Sequence, residues 1–269
     1  MNLEANLERP VDAPLRHSAR APKLLLHCGA DAVPLEQVAS VATPTATATW
    51  QPISHATLVA TVQATLAAGG LRIGTQAHSL TRDGMRYFGL MQIQSREAES
   101  EDYCWVLGLR NSHDKMFPAG LVAGASVFVC DNLSFSGEIK FARKHTRFIT
   151  RDLPQLVSRA VGGLLEKWHH QDRRIAAYRE AAIDDCAAHD LIVRATDLGV
   201  CPNRAVPAVL TEWRRPRHTE FERRSIWSLF NAFTEVLKGA SLLEVPHRTE
   251  ALHGLLDVHV GLAELHGRN

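Results

Sequence analysis

The sequence has few cysteines, and no two of them stand at metal-binding spacing. Five cysteines are spread over 269 residues without a CxxC pair. An odd number at wide spacing argues against a disulfide framework, and the missing pairs argue against a zinc ribbon or a thioredoxin-like site. We therefore expect the cysteines to be reduced and mostly buried.

Long apolar runs and an excess of one charge are also missing. No stretch approaches the roughly 18 consecutive apolar residues of a membrane span. Residues 1–22 carry Glu4, Glu8, Arg9 and Asp12 in place of the apolar core of a signal peptide. We therefore expect a cytoplasmic protein that does not contact membranes. Lys and Arg number 30 against 29 for Asp and Glu, so any nucleic-acid contact must come from a local patch.

Recognised catalytic motifs are absent as well. The chain contains no P-loop, no GxSxG, no HExxH and no dinucleotide-binding glycine fingerprint. The sequence therefore leaves open whether any reaction is catalysed and which cofactor would serve it. We assign no residue as a metal ligand.

What the sequence does contain is a change of hydrophobic periodicity along the chain. Residues 1–39 are predicted to be a tail with short elements, and residues 40–260 a domain that begins with an extended connector docked through Trp50. Residues 55–68 have helical spacing and end at Gly69-Gly70. Apolar runs on both sides of Arg82-Asp83-Gly84 predict a hairpin.

The remaining elements follow the same patterns. Further strands are predicted over 103–109 and 125–130, with short pieces at 139–141 and 147–149, and helices over 155–195, 220–238 and 246–265. The predicted fold class is α+β, with an antiparallel, sheet-rich region over 70–150 packed against a predominantly helical region over 153–265.

Polar residues gather where two of the predicted strands end. The candidate polar site comprises Asn111, His113, Asp114, Asp131, Asn132 and His145. If the strands are neighbours, these side chains converge at one edge of the sheet. Two imidazoles and two carboxylates suit a divalent metal or an acid–base pair. The same residue types form turns and caps beside strands, so structural, ligand-binding and catalytic roles all remain open.

A basic segment lies directly after the predicted strands. Residues 140–151 read KFARKHTRFITR, in which the cations alternate with Phe141 and Phe148. The candidate nucleic-acid-binding residues are Lys140, Arg143, Lys144, Arg147 and Arg151. Cations contact phosphates and aromatic faces stack on bases, so the mixture is typical of a nucleic-acid groove. The alternative is a solvated strand edge whose charges prevent aggregation.

Three sequence blocks resemble a known family. They are TPTATATWQPISH, then GLRNSHDKMFPAGLVAGASVFVCDNLSFSGEIKFARKHT at 108–146, and HTEFERRSIWSLFNAFTEVLKG at 218–239. Over residues 40–260 the chain is similar to the DUF932 family, proteins of unknown function that recur in phages, plasmids and other mobile elements. The resemblance implies a mobile-element context.

Together with the basic segment, the resemblance favours a nucleic-acid-binding protein that is accessory to DNA recombination or replication. We expect DNA as the partner, single-stranded in preference to double-stranded, and self-association by analogy with annealing proteins. Two other hypotheses remain open. One is a metal-dependent hydrolase or nuclease that uses His113, Asp114, Asp131 and His145. The other is a protein-binding module that acts on a host defence factor.

Overall fold

A computed structural model of the chain describes residues 31–94, 103–127, 133–240 and 244–262, and the side chains of residues 133–140 lie outside this description. The strands within these ranges are β1 (Asp31–Val33), β2 (Arg72–Thr81), β3 (Arg86–Gln94), β4 (Tyr103–Ser112), β5 (Ala119–Val127) and β6 (Leu133–Arg143). The α-helices are α1 (Leu35–Ser40), α2 (His55–Ala68), α3 (Ile149–Gly162), α4 (Leu164–Glu180), α5 (Asp185–Asp197), α6 (Val206–Arg214), α7 (Ile226–Leu237) and α8 (Val245–His259). The predicted α+β class is confirmed.

The strands form one antiparallel sheet in which each strand pairs with the next along the chain. Its β2–β3 connection is the predicted turn, and Arg82, Asp83 and Gly84 have φ values of 54°, 53° and 83°. Positive φ values of this kind are typical of tight hairpin turns. The predicted hairpin is therefore confirmed.

Several strand boundaries differ from the prediction. β4 continues to Ser112, and β5 begins at Ala119 rather than at residue 125. The segment AGLVAGASV is rich in small residues with weak strand propensity, and it becomes a strand because β4 and β6 pair with it on both sides. The strand predicted over 147–149 is wrong, since helix α3 begins at Ile149.

The region predicted as helical over 155–195 contains three helices. The first break lies at Gly163, between α3 and α4. The second lies before Asp184, whose side chain caps α5 by accepting a hydrogen bond from the backbone N–H of Ala187. Helix α2 has the predicted bounds, and Gly70, with φ 73°, follows its end.

Alternating residues of the sheet face two apolar layers. On one face, Trp105 of β4 stacks on Trp168 of α4, with ring centroids 5.5 Å apart, within the main core. On the opposite face, Leu90 and Val106 pack with Val245 of α8. The sheet is thus buried on both sides over part of its length. Among the described helices, none combines the length and the apolar character that crossing a membrane requires.

Candidate functional site

Three imidazoles and one amide meet at one end of the sheet. We call His55, Asn111, His113 and His145 the imidazole cluster. His55 begins α2, Asn111 lies on β4, His113 follows β4, and His145 follows β6. All four side chains are buried. The structure therefore brings together three residues of the predicted polar site and adds His55.

Asn111 is the hub of this cluster. Its Nδ2 atom donates hydrogen bonds to Nδ1 of His55 at 2.9 Å and to the backbone carbonyl of Ile53 at 3.1 Å. Its Oδ1 atom accepts a hydrogen bond from Nε2 of His145 at 2.8 Å. One side chain thus connects β4 with the start of α2 and with the segment that leaves β6.

The other two imidazoles are also fixed by backbone carbonyls. Nε2 of His55 donates to Gly84 in the β2–β3 turn at 2.8 Å, and Nε2 of His113 donates to Ile53 at 2.9 Å. The rings of His55 and His113 stack with centroids 4.0 Å apart and planes within 9°. These partners assign the Nε2–H tautomer to each imidazole.

The imidazoles are neutral at neutral pH. Burial lowers the pKa of His55 and that of His145 to about 4, and the nearby imidazole of His113 adds to both shifts. Burial also lowers the pKa of His113. Within the described part of the chain, Nδ1 of His113 and Nδ1 of His145 are buried without a hydrogen-bond partner. Two basic lone pairs therefore remain in the cluster.

Asp114 follows His113 at the same end of the sheet, but its hydrogen bonds go to residues outside the imidazole cluster. Its carboxylate accepts from Nε of Arg86 at 2.6 Å and from the hydroxyl of Ser112 at 2.8 Å. Burial acts to raise the pKa of Asp114, but the hydrogen bonds from Ser112, Arg86 and the Met116 backbone lower it overall. The register explains the contact, because Arg86 lies directly opposite Ser112 in the β3–β4 pair.

Two further residues of the predicted polar site, Asp131 and Asn132, lie outside the described residues. Within the described ranges, no group of three or more His, Cys, Asp or Glu side chains is arranged to hold a metal ion. Of the six residues of the predicted polar site, the structure therefore shows Asn111, His113 and His145 in one hydrogen-bonded cluster, together with His55.

A surface of cations and aromatic rings adjoins the cluster. We define the cation–aromatic surface as Trp50, Lys115, Lys144, Arg147, Phe148 and Arg151. Trp50 stacks on His145 with centroids 6.2 Å apart and forms an isolated β-bridge with Thr146. The Nζ atom of Lys115 lies 4.7 Å from the centroid of the Trp50 ring. The imidazole cluster therefore supports the tryptophan of this surface.

Phe148 is the exposed aromatic residue of the surface. It retains 40% of its accessible area, although it is a large apolar side chain. The guanidinium carbons of Arg147 and Arg151 each lie 4.5 Å from its ring centroid. Two guanidinium groups thus lie over one partly exposed aromatic ring.

Asp152 partly compensates the charge of the predicted basic segment. Arg143 and Arg151 contact its carboxylate at 2.7 and 2.9 Å. The hydrogen bond from Arg151, with the charges of both arginines, lowers the pKa of Asp152. Lys144 and Arg147 are exposed and form no ion pair within the described residues. For Lys140 the structure describes only the backbone, which pairs with Val122 of β5.

Sequence reasoning missed His55 and Lys115. His55 is a polar residue at the start of an otherwise apolar helix, which is the signal that could have drawn attention to it. Lys115 gives no local signal. It reaches Trp50 because the β4–β5 loop turns there, where the φ of Lys115 is 63°.

Comparison with known proteins gives one match. The model of the family described as Domain of unknown function (DUF932) matches residues 45–252, which includes the imidazole cluster and the cation–aromatic surface. No curated protein and no solved structure matches the chain.

Proposed function

We propose that the chain, which belongs to the DUF932 family of unknown function, binds nucleic acid through the cation–aromatic surface. The observation that carries this proposal is the exposed Phe148 ring between the guanidinium groups of Arg147 and Arg151. A base can stack on the ring when one of these exposed guanidinium groups moves from the ring face to a neighbouring phosphate.

Single-stranded DNA is the favoured ligand. Stacking on Phe148 requires a base that is free of its partner strand, whereas contacts to Lys144 and Arg147 require only phosphates. The chain as a whole carries a net charge of only +1, so its affinity must come from this local surface. The proposed biological role is accessory to DNA recombination or replication of a phage, plasmid or other mobile element. Self-association and a cytoplasmic location are part of the same proposal.

Fluorescence anisotropy with labelled oligonucleotides tests the proposal. The protein is titrated with single-stranded and double-stranded DNA of the same sequence at two salt concentrations. The double variant Lys144→Ala/Arg147→Ala removes two exposed cations from the surface. If two phosphate contacts are lost, the slope of log affinity against log salt for single strands becomes shallower by about 1.4.

A matched control removes two exposed cations from the helical part of the chain. Arg204 and Arg215 are exposed and form no ion pair within the described residues, so Arg204→Ala/Arg215→Ala changes the net charge equally. We expect it to leave the affinity within about threefold of the unsubstituted protein. Absence of DNA binding at low salt, or equal losses in the two double variants, would overturn the proposal.

No observation on the described residues favours the other two functions considered from sequence. For a hydrolase, the carboxylate of Asp114 is bound to Arg86, and Asp131 lies outside the described residues. For a protein-binding module, the surface described above carries charges and aromatic rings that suit nucleic acid. Both hypotheses stay predictions from sequence.

A further inference from the structure

Arg110 is a partly buried cation on the sheet face opposite the imidazole cluster. It precedes Asn111 on β4, and adjacent strand residues point to opposite faces. Its guanidinium carbon lies 5.8 Å from the ring centroid of Phe117, and Phe117 packs against Phe88 with centroids 5.3 Å apart. Both phenylalanines are buried. The guanidinium thus lies beside an aromatic pair in a partly desolvated environment.

No carboxylate compensates this charge in the part of the chain that the structure describes. Arg110 forms neither an ion pair nor a hydrogen bond there, and burial lowers the pKa of its guanidinium. The acid at this end of the sheet, Asp114, is already held by Arg86 and Ser112. The guanidinium remains charged at neutral pH even with a lowered pKa, so its donors are available to a ligand.

The sheet register gives the Arg110 side chain room to lie over β5. Phe88, Arg110, Gly120 and Ala142 form one row across β3, β4, β5 and β6. A Cβ atom on Gly120 would lie 3.3 Å from Nε of Arg110 and 3.0 Å from the carbonyl oxygen of Phe141. The absence of a side chain at Gly120 lets Arg110 lie across the sheet. Ala142, the next residue of the row, is small and exposed.

We propose that Arg110 is the centre of an oxyanion-binding site, in which its guanidinium donates two hydrogen bonds to a phosphate or carboxylate group. Phe88 and Phe117 form the apolar wall of the site, Gly120 lies beneath Nε of Arg110, and the exposed Ala142 lies beside them on β6. A planar guanidinium matches both kinds of anion, because each offers two oxygens at the required spacing. The site lies on the opposite sheet face from the imidazole cluster and does not depend on the proposed function.

The test measures how anions stabilise the folded protein. Thermal unfolding of the full chain is followed with increasing inorganic phosphate or acetate, with chloride keeping the ionic strength constant. A ligand that binds only the folded state raises the unfolding temperature in a saturable way. We expect saturable stabilisation by at least one of the two probes, and the stronger probe identifies the chemical source of the oxyanion.

Variants of Arg110 assign the effect to this site. Arg110→Met keeps the length and apolar stem but removes the charge, and we expect the anion affinity to fall about tenfold or more. Arg204→Met, an exposed arginine on another element, is the matched control and should respond as the unsubstituted protein does. Because Arg110→Met removes a partly buried, unpaired charge, it should be at least as stable without anion.

Arg110→Lys is the second variant, in case the methionine variant fails to fold. Lysine keeps the charge but lacks the planar pair of donors, so the affinity should fall while the fold is kept. The proposal is overturned if neither probe stabilises the protein more than chloride does. It is equally overturned if the Arg110 variants keep the full response to anion.

Discussion

Nε2 of His145 donates a hydrogen bond to Oδ1 of Asn111 at 2.8 Å, although the two residues are 34 positions apart. The other end of the same amide donates to Nδ1 of His55 at 2.9 Å. A single side chain on β4 therefore fixes both the start of α2 and the segment after β6. Because Trp50 stacks on His145, the same contact positions one aromatic residue of the cation–aromatic surface.

Replacing Asn111 with alanine should destabilise the fold by about 2–4 kcal/mol, since it leaves Nδ1 of His55 and Nε2 of His145 buried without partners and removes one of the two hydrogen bonds to the carbonyl of Ile53. Urea unfolding at neutral pH measures the change. Asn203→Ala, at an exposed position, is the control and should stay within about 0.5 kcal/mol. Equal stabilities for the two variants would show that the amide does not hold the cluster together.

Acidification should also destabilise the protein through the imidazole cluster. The pKa values of His55 and His145 are lowered from 6.5 to about 4 in the folded state. The unfolded chain therefore takes up these protons first. The full stability is present above about pH 6.5 and is lost as the pH falls toward 4, by up to about 1.4 kcal/mol per pH unit for each group.

His145→Gln separates this titration from that of other groups. The glutamine amide can still donate to Asn111, but it does not titrate. Denaturation at about pH 7 and about pH 5 should therefore show a smaller loss of stability on acidification in the variant than in the unsubstituted protein. The prediction is contradicted if both proteins lose the same free energy over this range.

A buried ion pair joins α4 to α8 and provides a stability prediction in the helical half. Arg174 contacts Asp257 at 2.8 Å, and their side chains are only 4% and 8% exposed. Asp257→Ala should cost about 3–5 kcal/mol because it leaves a buried guanidinium without its counter-charge. Asp190→Ala, which removes an exposed pair with Arg194, should cost at most about 1 kcal/mol.

The double variant Arg174→Met/Asp257→Leu tests whether the uncompensated charge of Arg174 is the reason that Asp257→Ala is destabilising. It removes both charges and replaces them with apolar side chains, so its unfolding free energy should exceed that of Asp257→Ala alone. Urea unfolding of the set measures the difference. A double variant that is less stable than the single one would mean that the packing of Arg174 or its hydrogen bond to Gln171, rather than charge compensation, dominates.

Local signals in the sequence were sufficient where one short segment determines its own structure. Helix α2 has the predicted bounds because its apolar spacing is helical and two glycines follow it. The Arg82-Asp83-Gly84 turn formed where the sequence predicted it. Strand β5 could not be located correctly, because its alanines and glycines carry little strand propensity and its pairing partners β4 and β6 determine its length.

The candidate site was predictable only in part for the same reason. The sequence placed Asn111, His113 and His145 in one candidate site, and they meet because β4 and β6 run in the same direction on either side of β5. His55 was missed because its contact with Asn111 spans 56 positions, and nothing in a helix sequence tells which sheet edge its first residue will touch. The partner of Asp114 was not predicted, because the β3–β4 register that brings Arg86 to it cannot be read from either strand alone.

Neutralising Asp152 should strengthen DNA binding. Its carboxylate holds both Arg143 and Arg151, so Asp152→Asn frees two guanidinium groups for phosphates and removes a repelling charge. We expect an affinity for single-stranded DNA about threefold to tenfold higher at low salt, measured by fluorescence anisotropy. Asp190→Asn on α5 removes an exposed acid elsewhere. An equal gain in DNA affinity for this variant would mean that net charge alone is responsible.

Substitution of Phe148 distinguishes the contribution of stacking to DNA affinity from the contribution of charge on the cation–aromatic surface. Its side chain is 40% exposed and is not part of the buried core, so Phe148→Ala should leave the fold intact. The variant removes a stacking face but no cation. Affinity for single-stranded DNA should therefore fall about tenfold while the salt dependence stays unchanged, because the number of phosphate contacts is the same.

Two comparisons decide whether the aromatic ring itself is responsible. Phe148→Leu keeps apolar bulk between Arg147 and Arg151 but offers no π face, so it should bind single strands more weakly than phenylalanine does. Leu198→Ala truncates an apolar residue that is 53% exposed at the end of α5 and should leave binding unchanged. If leucine at position 148 binds as tightly as phenylalanine, the surface holds DNA by charge alone. A shallower salt dependence in Phe148→Ala would instead mean that the ring acts by holding the two arginines in place.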